Sequence, residues 1–409
     1  MLTRRGATVL GAGVAMWMMS RLVGSPGLEV VGIGLAVLPL IAAVFVHRGR
    51  QRLELRRRLS DVRVPPGTRV TVSIDVENRS TAPTAVLLIE DRIPAALGRP
   101  ARLVISGIRA RATQHVSYTV VPQMRGRYPL GPLTVNVSDP FALHRQRIEF
   151  TEREELLVIP EVEDLTAASD PTFGSSVGSS RARQLFRTGE EYYTMRQYQE
   201  GDDLRRIHWA SVARTGQLMI RQDESSRRAN GLIFLDNRAA ALGRARSVAF
   251  ERSVSVAATL GMLLLRHGFL VRWATADAAP ASAGEERFLD ALAGVDHSRE
   301  TTIGSTLRHL RAGASTDTTL VFISGPPALS ELPSLLRSAA GFGPKLAVLI
   351  YPVDPDTLPV DRQAELEGRA TQARLSLTRA GWDCIVLPPS MRLIDRWQVP
   401  KERPLVRSV

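Results

Sequence analysis

The sequence predicts a multidomain chain: a transmembrane helical hairpin, an all-β sandwich, and a doubly wound α/β domain. Three observations carry this. Two apolar runs open the chain, strict period-two alternation follows them, and continuous apolar runs alternate with helical patterns in the last third. At 409 residues, with 44% hydrophobic and 23% charged side chains, the chain is long enough for several folded domains and has none of the composition of disorder.

The apolar runs cover residues 7–23 and 30–46, interrupted near the end of the first by Ser20 and Arg21 and separated by the Gly/Pro turn around "GSPGLE". Seventeen residues make about 25 Å of helix, at the short limit for a hydrocarbon core of about 30 Å. A cleaved signal peptide is disfavoured, because no small-x-small site follows the first run and a second run comes directly after it. Arg4 and Arg5 precede the first span and "HRGRQRLELRRR" follows the second. The positive-inside rule therefore keeps both ends, and the bulk of the chain, in the cytoplasm. Membrane lipid is the expected partner of this hairpin.

The formal charge is +12, and the first 60 residues hold nine arginines against Glu29 and Glu54, so they carry seven of that excess. The remainder is close to balanced, which argues against a nucleic-acid footprint. Lys345 and Lys401 are the only lysines, and the single cysteine, Cys384, sits in an apolar run and reads as a small hydrophobe.

Residues 61–150 alternate cleanly. Val70, Val72, Ile74 and Val76 interleave with polar residues, as do Val116, Tyr118 and Val120, and Leu133, Val135 and Val137. Such strands have one buried and one solvated face, and several of them between turn signals read as an immunoglobulin-like β-sandwich. Residues 231–390 read differently. "LIFLD", "FLVRWAT", "TTLVFIS", "LAVLIYP" and "WDCIVLP" are strand-like runs, with helices expected over 247–267 and near 303–311, 329–340 and 363–380. This predicts a parallel sheet covered on both faces, with ligands favoured at the carboxyl ends of its strands, where Asp236, Ser324 and Gly325 fall. A basic juxtamembrane segment completes residues 1–60, and 391–409 form a C-terminal tail.

Between these parts, residues 151–230 contain "YTMRQYQEGDDLRRIHW". "YYTMRQYQ" reads as a strand and "EGDD" as its turn, with Asp202 and Asp203 at the cap and first turn of a helix. Leu204, Ile207, His208, Ser211 and Val212 follow helical spacing as its inner face, Asp202 pairs with Arg206 at i,i+4, and "QLMIRQ" is the next strand. The favoured reading is an ionic lattice that shapes a recognition surface from Arg196, Tyr198, Gly201, Asp202, Asp203, Arg205, Arg206, Trp209 and Arg214. The alternative is a hydrolase using Asp202, Asp203 and His208. No nucleophile elbow, phosphate loop, HExxH or CxxC pattern accompanies that set, so no catalytic residue is assigned.

These motifs resemble the domain of unknown function 58 family of bacterial membrane proteins. Arg196 and Tyr198, Gly201 and Asp202, Arg205, Ile207 and Trp209, then Ala213 and Arg214 match its signature, and Gly126, Gly131, Asp139 and Pro140 match its lead-in. The resemblance implies that the α/β part is similar to a von Willebrand factor type A domain. Such domains often hold Mg²⁺ through Asp-x-Ser-x-Ser. Here Asp236 is kept, Arg238 and Ala240 replace the serines, and Gly325 stands where a later acid is expected. Loss of hydroxyl ligands and gain of a cation imply no bound metal and no cofactor. The resemblance also implies a MoxR-type AAA+ ATPase as partner. The expectation is a non-enzymatic, membrane-anchored adaptor.

Overall fold

The computed structural model describes residues 2–49, 53–81, 83–84, 86–139, 141–165, 193–199, 202–204, 207–223, 229–300 and 302–397. The chain divides into two compact units, Met1–Ile159 and Pro160–Val409, and each has its own core.

In the first unit, helices α1 (Arg4–Val23) and α2 (Pro26–Gly49) form the hairpin. They are 20 and 24 residues long, about 30 and 36 Å, so both are long enough to cross a bilayer without thinning it. The extra length comes from the ends, where Thr3 caps α1 by accepting from the Gly6 amide and Pro26 opens α2. Glycine lets the two backbones touch. A Cβ on Gly13 would lie 2.6 Å from the Ala36 nitrogen, and one on Gly32 would lie 2.7 Å from the Trp17 nitrogen. Arg21 and Glu29 pair at 3.3 Å beside the connecting turn.

The β-rich region holds β1 (Leu53–Leu59), β2 (Arg63–Val64), β3 (Val70–Asn78), β4 (Val86–Asp91), β5 (Ala101–Ile105), β6 (Thr113–Val120), β7 (Gly126–Leu130), β8 (Leu133–Ser138), β9 (Arg145–Phe150) and β10 (Glu154–Val158). They form three sheets, ordered β1-β3-β6, β5-β4-β8-β9 and β2-β10-β7. The inward row of β3 serves two cores. Ile74 and Val76 pack with Leu87, Ile89, Val135 and Val137 of the four-stranded sheet, whereas Val70 and Val72 pack with Leu130, Leu156 and Val158. The α2 residue Val46, 1% exposed, belongs to the first of these cores.

The arginine-rich stretch after α2 departs from the sequence expectation. Residues 53–59 of it are strand β1, and the Arg57 side chain is only 6% exposed. Its guanidinium donates to both oxygens of the fully buried Asp91 (3.0 and 2.6 Å) and to the Leu130 carbonyl (3.0 Å). Tyr118 donates to the same carboxylate at 2.7 Å. Burial, with Asp91 beside it, pushes the Tyr118 hydroxyl well above the ordinary phenol value.

In the second unit, β11 (Tyr193–Gln197) pairs antiparallel with β12 (Met219–Asp223), and helix α3 (Trp209–Thr215) lies between them in sequence. The remaining strands are β13 (Asn230–Leu235), β14 (Leu270–Thr275), β15 (Ala281–Ser282), β16 (Thr318–Ser324), β17 (Lys345–Ile350) and β18 (Asp383–Leu387). They form one sheet ordered β15-β14-β13-β16-β17-β18, parallel except for the edge strand β15. The helices are α4 (Ala239–Leu242), α5 (Val248–Arg266), α6 (Glu285–Ala293), α7 (Ile303–Ala312), α8 (Leu332–Ser338), α9 (Val360–Arg379) and α10 (Leu393–Trp397).

Every residue of β16 is buried, as a strand covered on both faces requires. Phe234 stacks on Phe322, which meets Trp382 edge-on, under Leu310, Leu335 and Leu377 from the helices. Helix α5 begins where Ser247 accepts from the Phe250 amide and carries Glu251 in its first turn and Arg266 in its last, matching the helix dipole. It is apolar enough to span a membrane, yet 78% of that stretch is buried within the fold.

Candidate functional site

The first candidate lies where β13 and β16 end side by side, the point at which the strand order reverses and ligands of such sheets usually bind. Asp236 follows β13 and is fully buried. The Arg238 Nε donates to its Oδ1 and Nη2 to its Oδ2, each at 2.8 Å. Ser324 Oγ donates to Oδ2 at 3.0 Å, and Arg238 Nη1 reaches Glu331 Oε1 at 3.3 Å. Arg238 is 4% exposed and Glu331 25%. Burial works against the Arg238 charge, but Asp236 and then Glu331 outweigh it and hold the guanidinium above its ordinary value. A bidentate, desolvated pair of this kind is strongly held.

A second network extends the same surface. Asn237 Nδ2 donates to Asp277 Oδ1 (3.0 Å) and to the Asp296 carbonyl (2.9 Å), while its Oδ1 accepts from the Ala276 amide (3.0 Å). The ends of β13 and β14 are tied together through it.

This donor set does not fit a divalent cation. Both Asp236 oxygens are occupied by one guanidinium, and a metal ion there would need Arg238 displaced and its charge left buried. Ala240 is exposed on α4 and aims no group at the carboxylate. Gly325 supplies none either, since a Cβ there would lie 1.9 Å from the Ala241 carbonyl oxygen. Among the described residues, no three His, Cys, Asp or Glu side chains cluster as metal ligands.

The second candidate is the segment spanning β11 to β12. Here the structure corrects the expectation of a helix capped by the two acids. Asp202 instead closes a turn: its Oδ2 accepts from the Gln199 amide at 2.9 Å, and its amide donates to the Gln199 carbonyl at 3.1 Å. Its Oδ1 accepts from Arg196 Nη2 at 2.5 Å. Arg196, and after it the Gln199 amide, hold the Asp202 carboxyl below the usual carboxylate range, and Asp202 holds Arg196 above its own. The helix begins at Trp209, and its cap is His208, whose Nδ1 meets Ser211 Oγ at 2.8 Å and accepts from the Ser211 amide.

The expected inner face is therefore only partly inside. Ile207, His208, Ser211 and Val212 are half-buried, but Leu204 is 61% exposed. Trp209 is 68% exposed and Leu218 43%. Tyr198 is half-buried, its amide bonded to the Leu218 carbonyl. Asp203, Ala213 and Arg214 are exposed, so Arg214 does not bury itself against the acids. Gly201, Arg205 and Arg206 lie outside the described residues, and with Arg206 the expected i,i+4 pair.

The hydrolase set is not assembled by these bonds. Asp202 is engaged by Arg196, and His208 Nδ1 by Ser211. Sequence reasoning missed Glu331 and Asn237. A signal for the first existed: a buried arginine beside one acid usually needs a second acceptor.

The family model described as "Protein of unknown function DUF58" matches residues 194–381. The "Uncharacterized protein YeaD" of Bacillus subtilis (strain 168) is 27% identical over 275 residues, 62% of this chain. The match spans 62% of that relative's own length. Among solved structures, the CARDB domain of the PF1109 protein from Pyrococcus furiosus aligns with a TM-score of 0.20 and 12% identity, over 26% of this chain and 91% of that one. The human seminal-plasma complex of zinc 2-glycoprotein and prolactin inducible protein aligns with a TM-score of 0.22 and 13% identity, over 27% and 98%. Likeness at that level says nothing of what this chain does. By sequence, residues 194–381, which hold both candidate sites, match the DUF58 model, a family of unknown function.

Proposed function

We propose that the chain is a membrane-anchored, non-enzymatic scaffold whose folded bulk lies in the cytoplasm and docks another protein. The observation that carries the reading is the sealed end of the parallel sheet. Where a ligand or ion would enter, Arg238 fills both oxygens of Asp236 and reaches Glu331. The DUF58 signature segment, meanwhile, presents Trp209 and Leu204 to solvent, and exposed tryptophan beside arginine is the composition of an interface hot spot.

The finer assignments belong to the same proposal. The order β15-β14-β13-β16-β17-β18, with one antiparallel edge strand and Asp236 after β13, supports a von Willebrand factor type A-like domain. Alternating strands in facing sheets support an immunoglobulin-like sandwich. Arginines at both hairpin ends support a cytoplasmic face. The DUF58 resemblance supports a MoxR-type AAA+ ATPase as the docked partner.

The test is crosslinking mass spectrometry of the full-length chain in native membranes, with Trp209→Ala alongside. Crosslinks to an AAA+ ATPase that disappear in the variant support the proposal. Repeated crosslinking with no ATPase among the products counts against that partner. Turnover of a phosphate ester by the purified chain, lost in Asp203→Asn or His208→Ala while the fold persists, overturns the non-enzymatic reading.

A further inference from the structure

The first turn of α1 is fastened to the β-rich region at the loop of residues 141–144. The Thr3 amide donates to the Leu143 carbonyl at 2.9 Å, and its hydroxyl donates to the Ala142 carbonyl at 2.7 Å. Leu2 bridges His144. One turn further along, Gly6 is buried against the loop, and a Cβ there would lie 2.2 Å from the Leu143 carbonyl oxygen. The loop therefore lies at the depth of residues 3–6 of the span.

Its shape is set from within. The buried Asp139 accepts from the Phe141 amide (2.9 Å) and the His144 amide (2.5 Å). Ala142 takes a left-handed φ of 55°, and Leu143 turns inward at 4% exposure. Phe141 turns outward and is 65% exposed. The loop is thus fixed with its phenylalanine ring held out from the core.

The position says what the ring faces. Helix α1 is 20 residues long, about the thickness of the hydrocarbon core, so its first turn falls at the membrane boundary. Arg4 and Arg5, both exposed, flank the same level. Aromatic rings favour this depth, and arginines there attract anionic headgroups. We propose that residues 141–144 form a lipid-contacting finger. Phe141 seats at the boundary of headgroups and acyl chains, and Arg4 and Arg5 engage the phosphates of an anionic phospholipid surface. The proposal rests on the membrane anchoring in that reading, and on neither the docked partner nor the non-enzymatic role.

The experiment uses the full-length chain with Cys384→Ala and Phe141→Cys carrying a nitroxide, in nanodiscs containing phosphatidylglycerol. Phe141 touches little of the core, so its replacement leaves the fold intact, and the same label at Val104 (68% exposed) is the aqueous reference. The expected result is greater relaxation by oxygen than by a water-soluble nickel chelate at 141, and the reverse at 104. Equal access of the chelate to both labels overturns the proposal. So does strong dipolar coupling between labels, which assigns the face to a second copy. Protection at 141 in native membranes but not in nanodiscs assigns it to a protein and overturns it too. The label should also sit deeper with phosphatidylglycerol than with phosphatidylcholine, and this difference should vanish in Arg4→Gln/Arg5→Gln. Equal depth in both lipids for native Arg4 and Arg5 overturns their role.

Discussion

Two Arg–Asp pairs of the second unit make an instructive contrast. Arg238 and Asp236 are 4% and 1% exposed, joined by two hydrogen bonds of 2.8 Å and supported by Ser324 and Glu331. Arg196 and Asp202 are 34% and 21% exposed and joined by one. The functional groups are the same, but water screens only the second pair. Of these two described pairs, the one in the charge-dense segment is the more exposed, and the "DNR" after β13 holds the buried one. In the segment from β11 to β12, the proposed docking role therefore leans on the exposed Trp209 more than on Asp202.

The largest test of that contrast is Asp236→Ala in the full-length chain. It strands the Arg238 charge in the interior and should cost about 3–5 kcal/mol, read as a lowered urea midpoint for the second unit. Replacing both partners together, Asp236→Leu with Arg238→Met, should recover most of the loss. A double variant as unstable as the single one would show that the pair is not self-contained. Arg57 and Asp91 extend the comparison to the first unit, and Asp91→Ala belongs in the same range.

A smaller effect is expected from Tyr118→Phe, which removes a hydrogen bond to a buried carboxylate worth about 1.5–3 kcal/mol. Its pH dependence has a definite sign. The folded tyrosine resists ionisation, so its contribution is complete below the ordinary phenol value of 10.0 and fades as pH rises past it. Wild type should lose melting temperature between neutral and strongly alkaline pH faster than the variant.

Asp202→Asn should cost clearly less than any of these. Its carboxyl is held low in the folded chain, so the stabilisation is present above the ordinary value of 3.8 and is lost as pH falls through the lowered one. Thermal melts of wild type and variant should therefore converge in acid. A loss at neutral pH matching Asp236→Ala would erase the contrast between the pairs. Smallest of all, Trp209→Ala should leave stability within about 0.5 kcal/mol, while removing any crosslinks to the proposed partner.

How much of this was legible in the sequence follows from the range of the forces. Alternation at 70, 72, 74 and 76 became the inward row of β3, and the apolar runs "LIFLD" and "TTLVFIS" became central strands, because burial acts residue by residue. Ser247 was the start of α5 for a local reason, a hydroxyl reaching three residues on. Asp202 misled because a carboxylate after a glycine serves a turn as readily as a helix, and its partner Arg196 lies upstream. Glu331 was hidden by the 93 residues that separate it from Arg238. Arg57 was readable but overlooked, since Leu53, Leu55, Arg57 and Leu59 share one phase of a strand.

Val46 has a consequence for how this molecule comes apart. It belongs to the second apolar helix, yet it is 1% exposed and part of the core that holds Leu55, Ile74 and Val135. Severing the hairpin would not free an intact globule. It would take one buried side chain out of the β-rich core, so a cut between hairpin and strands should lower the stability of what is left.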